Sequence, residues 1–361
     1  AQCDADGPAL PSRFWLRAEA LLGEKLAQRH RETGIPALLP RLDRAPDPVV
    51  PAARPEPRPC AKLRDVAIGV TALDRLLGDP YQFYAKEILQ LARLDPLGAD
   101  PFGDPALRGT LVHEILEAWH GERVARPDLP LVPFAEEKLA KAAVHPLFRG
   151  LWQPRILAAL AWFEKRIAAN AAEGRDVIAW EAKGSMNVDG VEVRGRADRI
   201  DRLADGTLAI VDYKTGKPPS AAQVEAGFAL QMGLLGLIAR DGEFTMGDLK
   251  LSGEASLFEY WSLGRAKSED GDPAFGYVDR PVRTGSKRSG LLPEAFLPHH
   301  EQKLADAIRR YIKGDEPFRA RENPDYPGYS DYDQLMRLEE WIVTLGPGGG
   351  RSGGDGEEND A

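Results

Sequence analysis

The chain has 361 residues, 43% of them hydrophobic and 29% charged, with a formal net charge of −9. That is enough chain for one large domain or two with ample core, and its acidity argues against a protein that coats nucleic acid by simple electrostatics. No apolar run approaches the roughly 18 residues of a membrane span and no signal segment opens the chain, so a cytoplasmic location is expected.

The chain begins at Ala1 rather than Met, and we expect a piece of a longer protein. Ser12 is a candidate N-cap for a helix that Gly23 ends. Prolines crowd in from Ala45 to Pro59, which predicts an extended linker over 45–60 and a boundary near residue 60. The two cysteines, Cys3 and Cys60, lie far apart and offer neither a disulfide framework nor a cluster site.

Val66–Thr71 reads as a short strand, Thr71–Gly78 as a capped helix, and Asp79-Pro80-Tyr81 restarts helix with Pro in its first turn. Arg108–His120 is predicted as an amphipathic helix whose apolar stripe is Val112, Ile115, Leu116 and Trp119. His113, Glu117 and His120 follow on an adjoining face. Pro154–Ile167 is a second long helix. Strands are expected at Val177–Glu181 and Val191–Asp198, with Asn187–Gly190 as a turn.

In Leu208-Ala209-Ile210-Val211-Asp212-Tyr213-Lys214 side chains alternate, so Leu208, Ile210, Asp212 and Lys214 share one face. Asp205-Gly206 suits a tight hairpin that folds Asp198 back beside Asp212. Two carboxylates held this close repel unless a cation lies between them, and oxygen-rich sites suit Mg²⁺ or Mn²⁺. Lys214 would then orient or deprotonate the attacking water, or steady charge on phosphorus.

Thr215-Gly216-Lys217-Pro218 fails as a phosphate loop, since Val211 stands where the first Gly belongs and Pro218 replaces Ser or Thr. Ser220 is expected to cap a helix running to about Arg240. Gln231 falls in its apolar stripe and, as a buried amide, should be bonded within the site or to substrate. A strand follows at Glu254–Ser262. Arg280–Gly290 is locally basic, a phosphate contact or a solvated loop. His299 and His300 lack a spaced acidic partner and are assigned no site role. The Gly-rich tail, 343–361, is expected to be disordered.

Gly-x-x-x-His113, Gly-x-x-Asp198 and Asp212-Tyr213-Lys214 together resemble the core of the PD-(D/E)xK nuclease superfamily, in its RecB-like branch. Asp79-Pro80-Tyr81-Gln82-Phe83-Tyr84-Ala85 and the segments Asp315–Arg321 and Ser330–Trp341 are similar to the nuclease end of the AddB family of helicase-nuclease subunits. The resemblance implies an α/β restriction-endonuclease-like fold over 61–342, a mixed central sheet flanked by helices, with 1–44 ending a helicase-like region. It implies Mg²⁺-dependent hydrolysis of DNA, with His113, Asp198, Asp212 and the Tyr213 carbonyl as metal ligands. Lys214 and Gln231 act beside them, and Glu181 stands where the family often carries a glutamate. It further implies trimming of one strand, 5′ to 3′, beside an AddA-like helicase in double-strand break repair. Family members holding an iron-sulfur cluster carry cysteines that are missing around Tyr81, so none is expected. Two alternatives stay open: a RecB-like nuclease working alone, and a DNA-binding scaffold whose nuclease fold no longer cuts.

Overall fold

The computed structural model describes residues 11–30, 33–42, 52–92, 94, 105–142, 146–266, 274–283, 289–323, 326 and 330–342, together with a short strand pair at Cys3–Asp4 and Gly7–Pro8. The chain divides into two compact units, Ala1–Pro51 and Ala52–Ala361. The first holds helices Arg13–Leu22, Glu24–His30 and Ile35–Leu42. Ser12 Oγ accepts from the Trp15 N–H at 3.2 Å, and Gly23, at φ 58°, ends the first helix as its sequence predicts.

In the second unit, residues 52–60 form neither helix nor strand. Their carbonyls at Pro55 and Pro57 accept from Ala320 and Phe318, so the later half of the proline-rich stretch is tied to this unit. Residues 43–51 and the tail 343–361 lie outside the described residues.

The second unit is built on an eight-stranded mixed sheet. Its elements in chain order are β1 (Ile68–Gly69), α1 (Ala72–Gly78), α2 (Pro105–Arg123), α3 (Leu131–Lys141), α4 (Gln153–Ala172), β2 (Asp176–Val188), β3 (Val191–Arg202), β4 (Leu208–Lys214), α5 (Ala221–Ala226), α6 (Gln231–Asp241), β5 (Glu243–Met246), β6 (Leu249–Leu251), β7 (Ala255–Ala266), β8 (Ala274–Asp279) and α7 (Pro293–Ala307). The strand order is β8-β7-β4-β3-β2-β5-β6, with β1 parallel to the early half of β3. The β4–β7 pair is parallel and the remaining neighbours are antiparallel.

Turn chemistry sets the hairpins. Asp189 and Gly190 both take positive φ (51° and 77°), the twist-matched turn between β2 and β3. Asp205 Oδ1 accepts from the Thr207 N–H and hydroxyl while Gly206 sits at φ 84°, closing β3 onto β4.

Two cores cover the two faces. Leu208 and Ile210 join α1, α6 and α7 residues such as Leu73, Leu235 and Phe296 on one side. Val211 and Tyr213 join Val112, Ile115, Leu116 and Trp119 of α2 and Phe163 of α4 on the other. The period-two alternation of β4 is therefore the reason one strand contributes to both layers.

Some expected elements differ: the strand expected over Val66–Thr71 is only Ile68–Gly69, and Thr71 precedes α1 without a side-chain cap. The helix predicted from Ser220 to Arg240 is two helices. Ser220 and Gln223 form a capping box, but Gly227 adopts a left-handed φ of 87° and stops α5. Gln231 is thus the first residue of α6, and the preceding Leu230 N–H is taken by Asp74 Oδ1 of α1 at 2.9 Å. Among the described residues no helix is long and apolar enough to cross a membrane.

Candidate metal centre

The centre forms where the ladder between β3 and β4 opens. These strands pair from Arg202↔Leu208 to Arg199↔Val211, and the next step of the same register sets Asp198 opposite Asp212. There the backbone pairing gives way to a side chain: the Tyr213 N–H donates to Asp198 Oδ2 at 2.7 Å. The strands part and both carboxylates stay buried between them.

β2 opens at the same level. Its pairs with β3 include Trp180↔Arg199 and Ala182↔Ala197, and Glu181, which falls between them across from Asp198, has φ 45°. A left-handed conformation at a non-glycine residue costs about 1–3 kcal/mol and persists only where its surroundings enforce it. The departure from strand geometry turns the Glu181 carboxylate into the opening, where its side chain is 7% exposed.

His113 reaches the same point from α2. Its Nδ1 lies 3.2 Å from Glu181 Oε1 and 3.6 Å from Asp198 Oδ1. His113, Glu181 and Asp198 present donor atoms all within 4.8 Å of one another. Asp212 adjoins them on the α6 side, where Gln231 Nε2 donates to Oδ1 at 2.8 Å and Lys214 Nζ stands 2.8 Å from Oδ2. The structure therefore gathers His113, Glu181, Asp198, Asp212, Lys214 and Gln231 around one opening. Tyr213 lends its N–H there and buries its ring in the α2 layer.

The electrostatics fit a cation. Burial pushes the Asp198 carboxyl up to about 7, and the Asp212 charge pushes the same way. Burial lowers the His113 imidazole, but its bond to Glu181 and the charges of Asp198, Glu181 and Asp212 outweigh that and raise it overall. Asp212 Oδ2 and Glu181 Oε2 are buried and accept no well-aligned hydrogen bond, although Lys214 and Arg196 stand 2.8 and 2.9 Å away. Oxygen lone pairs turned into a carboxylate-rich opening with one imidazole suit a hard divalent ion.

A buried polar network, which the sequence did not single out, lies behind the centre. Arg199 is fully buried and donates to both Asp201 oxygens (2.8 and 2.9 Å), with its guanidinium 3.9 Å from the centre of the Trp261 ring. Arg175 bridges Asp201 and Glu259, and Arg280 caps Glu259 from the surface. Tyr213 Oη meets Arg199 at 3.5 Å and His120 Nε2 at 3.4 Å. Arg280, read from sequence as part of a basic loop, is thus engaged with Glu259; Lys287 and Arg288 lie outside the described residues. His120 and His300 are buried away from the centre, their imidazoles pushed down to about 3 and about 4 by desolvation. Alternating charges such as Arg199 and Asp201 in a strand look like a solvated face, so only their mutual match in charge offered a signal.

A mixed sheet flanked by helices, with buried carboxylates, an imidazole and a lysine at an opened pair of central strands, defines an α/β fold with a candidate metal centre. The family model of the PD-(D/E)XK nuclease superfamily matches residues 67–331, and the chain belongs to that superfamily. Its members are typically nucleases that use divalent metals.

Among curated proteins, an uncharacterized protein of Rickettsia conorii is 28% identical over 193 residues, 49% of this chain and 22% of the relative. One of Rickettsia bellii is 25% identical over 190 residues, 50% of this chain and 22% of the relative. The match therefore spans about a fifth of the length of these relatives. Among solved structures, one titled "Crystal structure of SSO0001" aligns at a TM-score of 0.22 and 12% identity, covering 52% of this chain and 77% of that one.

Proposed function

We propose that the second unit is a Mg²⁺-dependent deoxyribonuclease that hydrolyses phosphodiesters of one DNA strand, accepting Mn²⁺ in place of Mg²⁺. The observation that carries this reading is the convergence of His113, Glu181 and Asp198 within 4.8 Å beside Asp212 and Lys214. His113, Asp198, Asp212 and the Tyr213 carbonyl are the residues we assign to hold the ion, with Glu181 in reach of the same point. When bound, a divalent ion supplies Lewis-acid stabilisation of phosphoryl charge and a more acidic water.

The protein's own groups do the remaining work. Gln231 holds Asp212 in one orientation through its amide N–H, and Asp212 in turn keeps the Lys214 ammonium at the rim. There Lys214 is placed to orient the attacking water and to meet charge developing on phosphorus. Asp198 is steadied by the Tyr213 N–H, so its carboxylate needs little reorganisation on ion binding.

We further propose that this unit is the nuclease end of an AddB-like subunit, cytoplasmic, working 5′ to 3′ beside an AddA-like helicase in double-strand break repair. Supporting that reading, the three segments that carry the AddB-like pattern pack together. Asp79 Oδ1 accepts the Arg321 N–H, and Ala85 shares a small core with Ala320, Tyr332, Met336 and Trp341.

The test is cleavage of end-labelled single-stranded DNA with and without Mg²⁺, comparing the wild type with Asp212→Ala, alone and with an AddA-like helicase added. We expect metal-dependent cleavage that the substitution abolishes. No cleavage by the wild type in either setting would overturn the enzyme reading.

A further inference from the structure

Four cations lie on chain segments that adjoin the carboxyl end of β4, outside the candidate metal centre. Arg108 of α2 stacks on Trp152 with its guanidinium carbon 3.6 Å from the ring centre, and Arg155, in the first turn of α4, lies over the same indole at 5.1 Å. Gly109, next to Arg108 and one helical turn before His113, faces Thr215: a Cβ there would lie 3.8 Å from Thr215 Oγ1. The stack therefore borders the segment that leaves Lys214.

The sheet register adds the other two. β4 and β7 pair through Lys214↔Ser262, so Lys217 and Arg265 each stand three residues beyond that pair, and both are exposed. Ser262 Oγ donates to the Gly216 carbonyl at 3.0 Å, tying the two chain segments together. Among the described residues, none of these four cations has a carboxylate partner, in a protein of net charge −9.

An indole in contact with two guanidiniums restrains both by cation–π attraction while leaving N–H edges open for oxygen acceptors. Restraint before binding reduces the side-chain entropy lost when a phosphate is engaged. We propose that Arg108, Trp152 and Arg155, continued by Lys217 and Arg265, form a track for the phosphodiester backbone of the DNA strand entering the metal centre. This rests on the nuclease reading above. The contacts are to phosphate rather than to base edges, so the track is indifferent to sequence.

The test measures affinity for fluorescein-labelled oligodeoxythymidylate against salt, using the full chain, with a blunt duplex as a second arm. For Arg108→Gln/Arg155→Gln the slope of log K against log salt on the single strand should become shallower by about 1.4, two contacts at ~0.7 each. Trp152→Leu keeps both charges and should weaken binding while leaving the slope unchanged. Hydrolysis of bis(p-nitrophenyl) phosphate, too short to span the track, should be unaffected in both variants. If the double variant unfolds, Arg155→Gln alone, at an exposed position, should still lower the slope by about 0.7. An unchanged slope, a change confined to the duplex, or salt-independent binding by the wild type would each overturn the track. Loss of the slope in variants of a wild type that hydrolyses neither substrate would keep the track and remove the nuclease reading.

Discussion

The backbone N–H of Tyr213 donates to Asp198 Oδ2 at 2.7 Å, so a β3 side chain takes the place of a β3 carbonyl one step beyond the last paired residues of the ladder. This bond parts the central strands without leaving a buried donor unsatisfied. Asp198→Asn retains an oxygen acceptor for that N–H and removes a carboxylate that burial and Asp212 disfavour, so it should not lower the unfolding midpoint, while lowering metal-dependent cleavage by on the order of 10² or more. Asp198→Ala removes the acceptor as well and should cost about 1–3 kcal/mol of stability. Urea unfolding and single-turnover cleavage on both variants separate the two roles.

Two substitutions at Glu181 separate backbone strain from ion binding. Its φ of 45° is one that glycine adopts freely, so Glu181→Gly should be more stable than Glu181→Ala by about 1 kcal/mol. Both should bind Mn²⁺ more weakly than the wild type by calorimetry, because each deletes a carboxylate from the triad with His113 and Asp198. Equal stability of the two variants would remove the strain argument.

Arg199 should be among the least replaceable residues of the fold. It is buried, bidentate to Asp201 and stacked on Trp261, and its loss leaves carboxylate charge in a dry interior. Arg199→Leu should destabilise by on the order of 3–5 kcal/mol, and Arg199→Lys should recover only part of that because an ammonium lacks the bidentate fork. Chemical denaturation of the two variants checks the order.

Asp74 and His300 should tilt the pH dependence of stability in opposite senses. Burial raises the Asp74 carboxyl to about 7 despite the Leu230 N–H that it accepts. The folded state therefore holds a proton that the unfolded state releases near pH 4, and this contribution is lost as pH rises from about 4 through 7. Asp74→Asn keeps the cap and should gain on the wild type across that window. Burial lowers the His300 imidazole to about 4, so its contribution is present above about pH 6.5 and lost as pH falls through 4. Replacing His300 with Asn should therefore flatten the acid side. Thermal midpoints from pH 4 to 8 for wild type and each variant should show the two opposite differences.

The sequence by itself determined the strand Leu208–Lys214, the turns at Asp189-Gly190 and Asp205-Gly206, and the α2 stripe, because each is a short-range pattern set by side-chain period or by positive φ. Through the resemblance its motifs carry, it also pointed to His113, Glu181, Asp198, Asp212, Lys214 and Gln231 as site residues. Tertiary structure alone decided the rest. The apolar residues of α5 and α6 stay in phase across Gly227, so periodicity conceals a break that a left-handed glycine makes. Glu181 turns into the centre through a backbone angle that local propensity disfavours, held by the strands and helix around it. Arg199, Asp201, Arg175 and Glu259 are charged residues in strands and a loop, indistinguishable in sequence from a solvated face. Their burial follows from partners 26 to 84 positions away, which only the folded sheet brings within hydrogen-bonding distance.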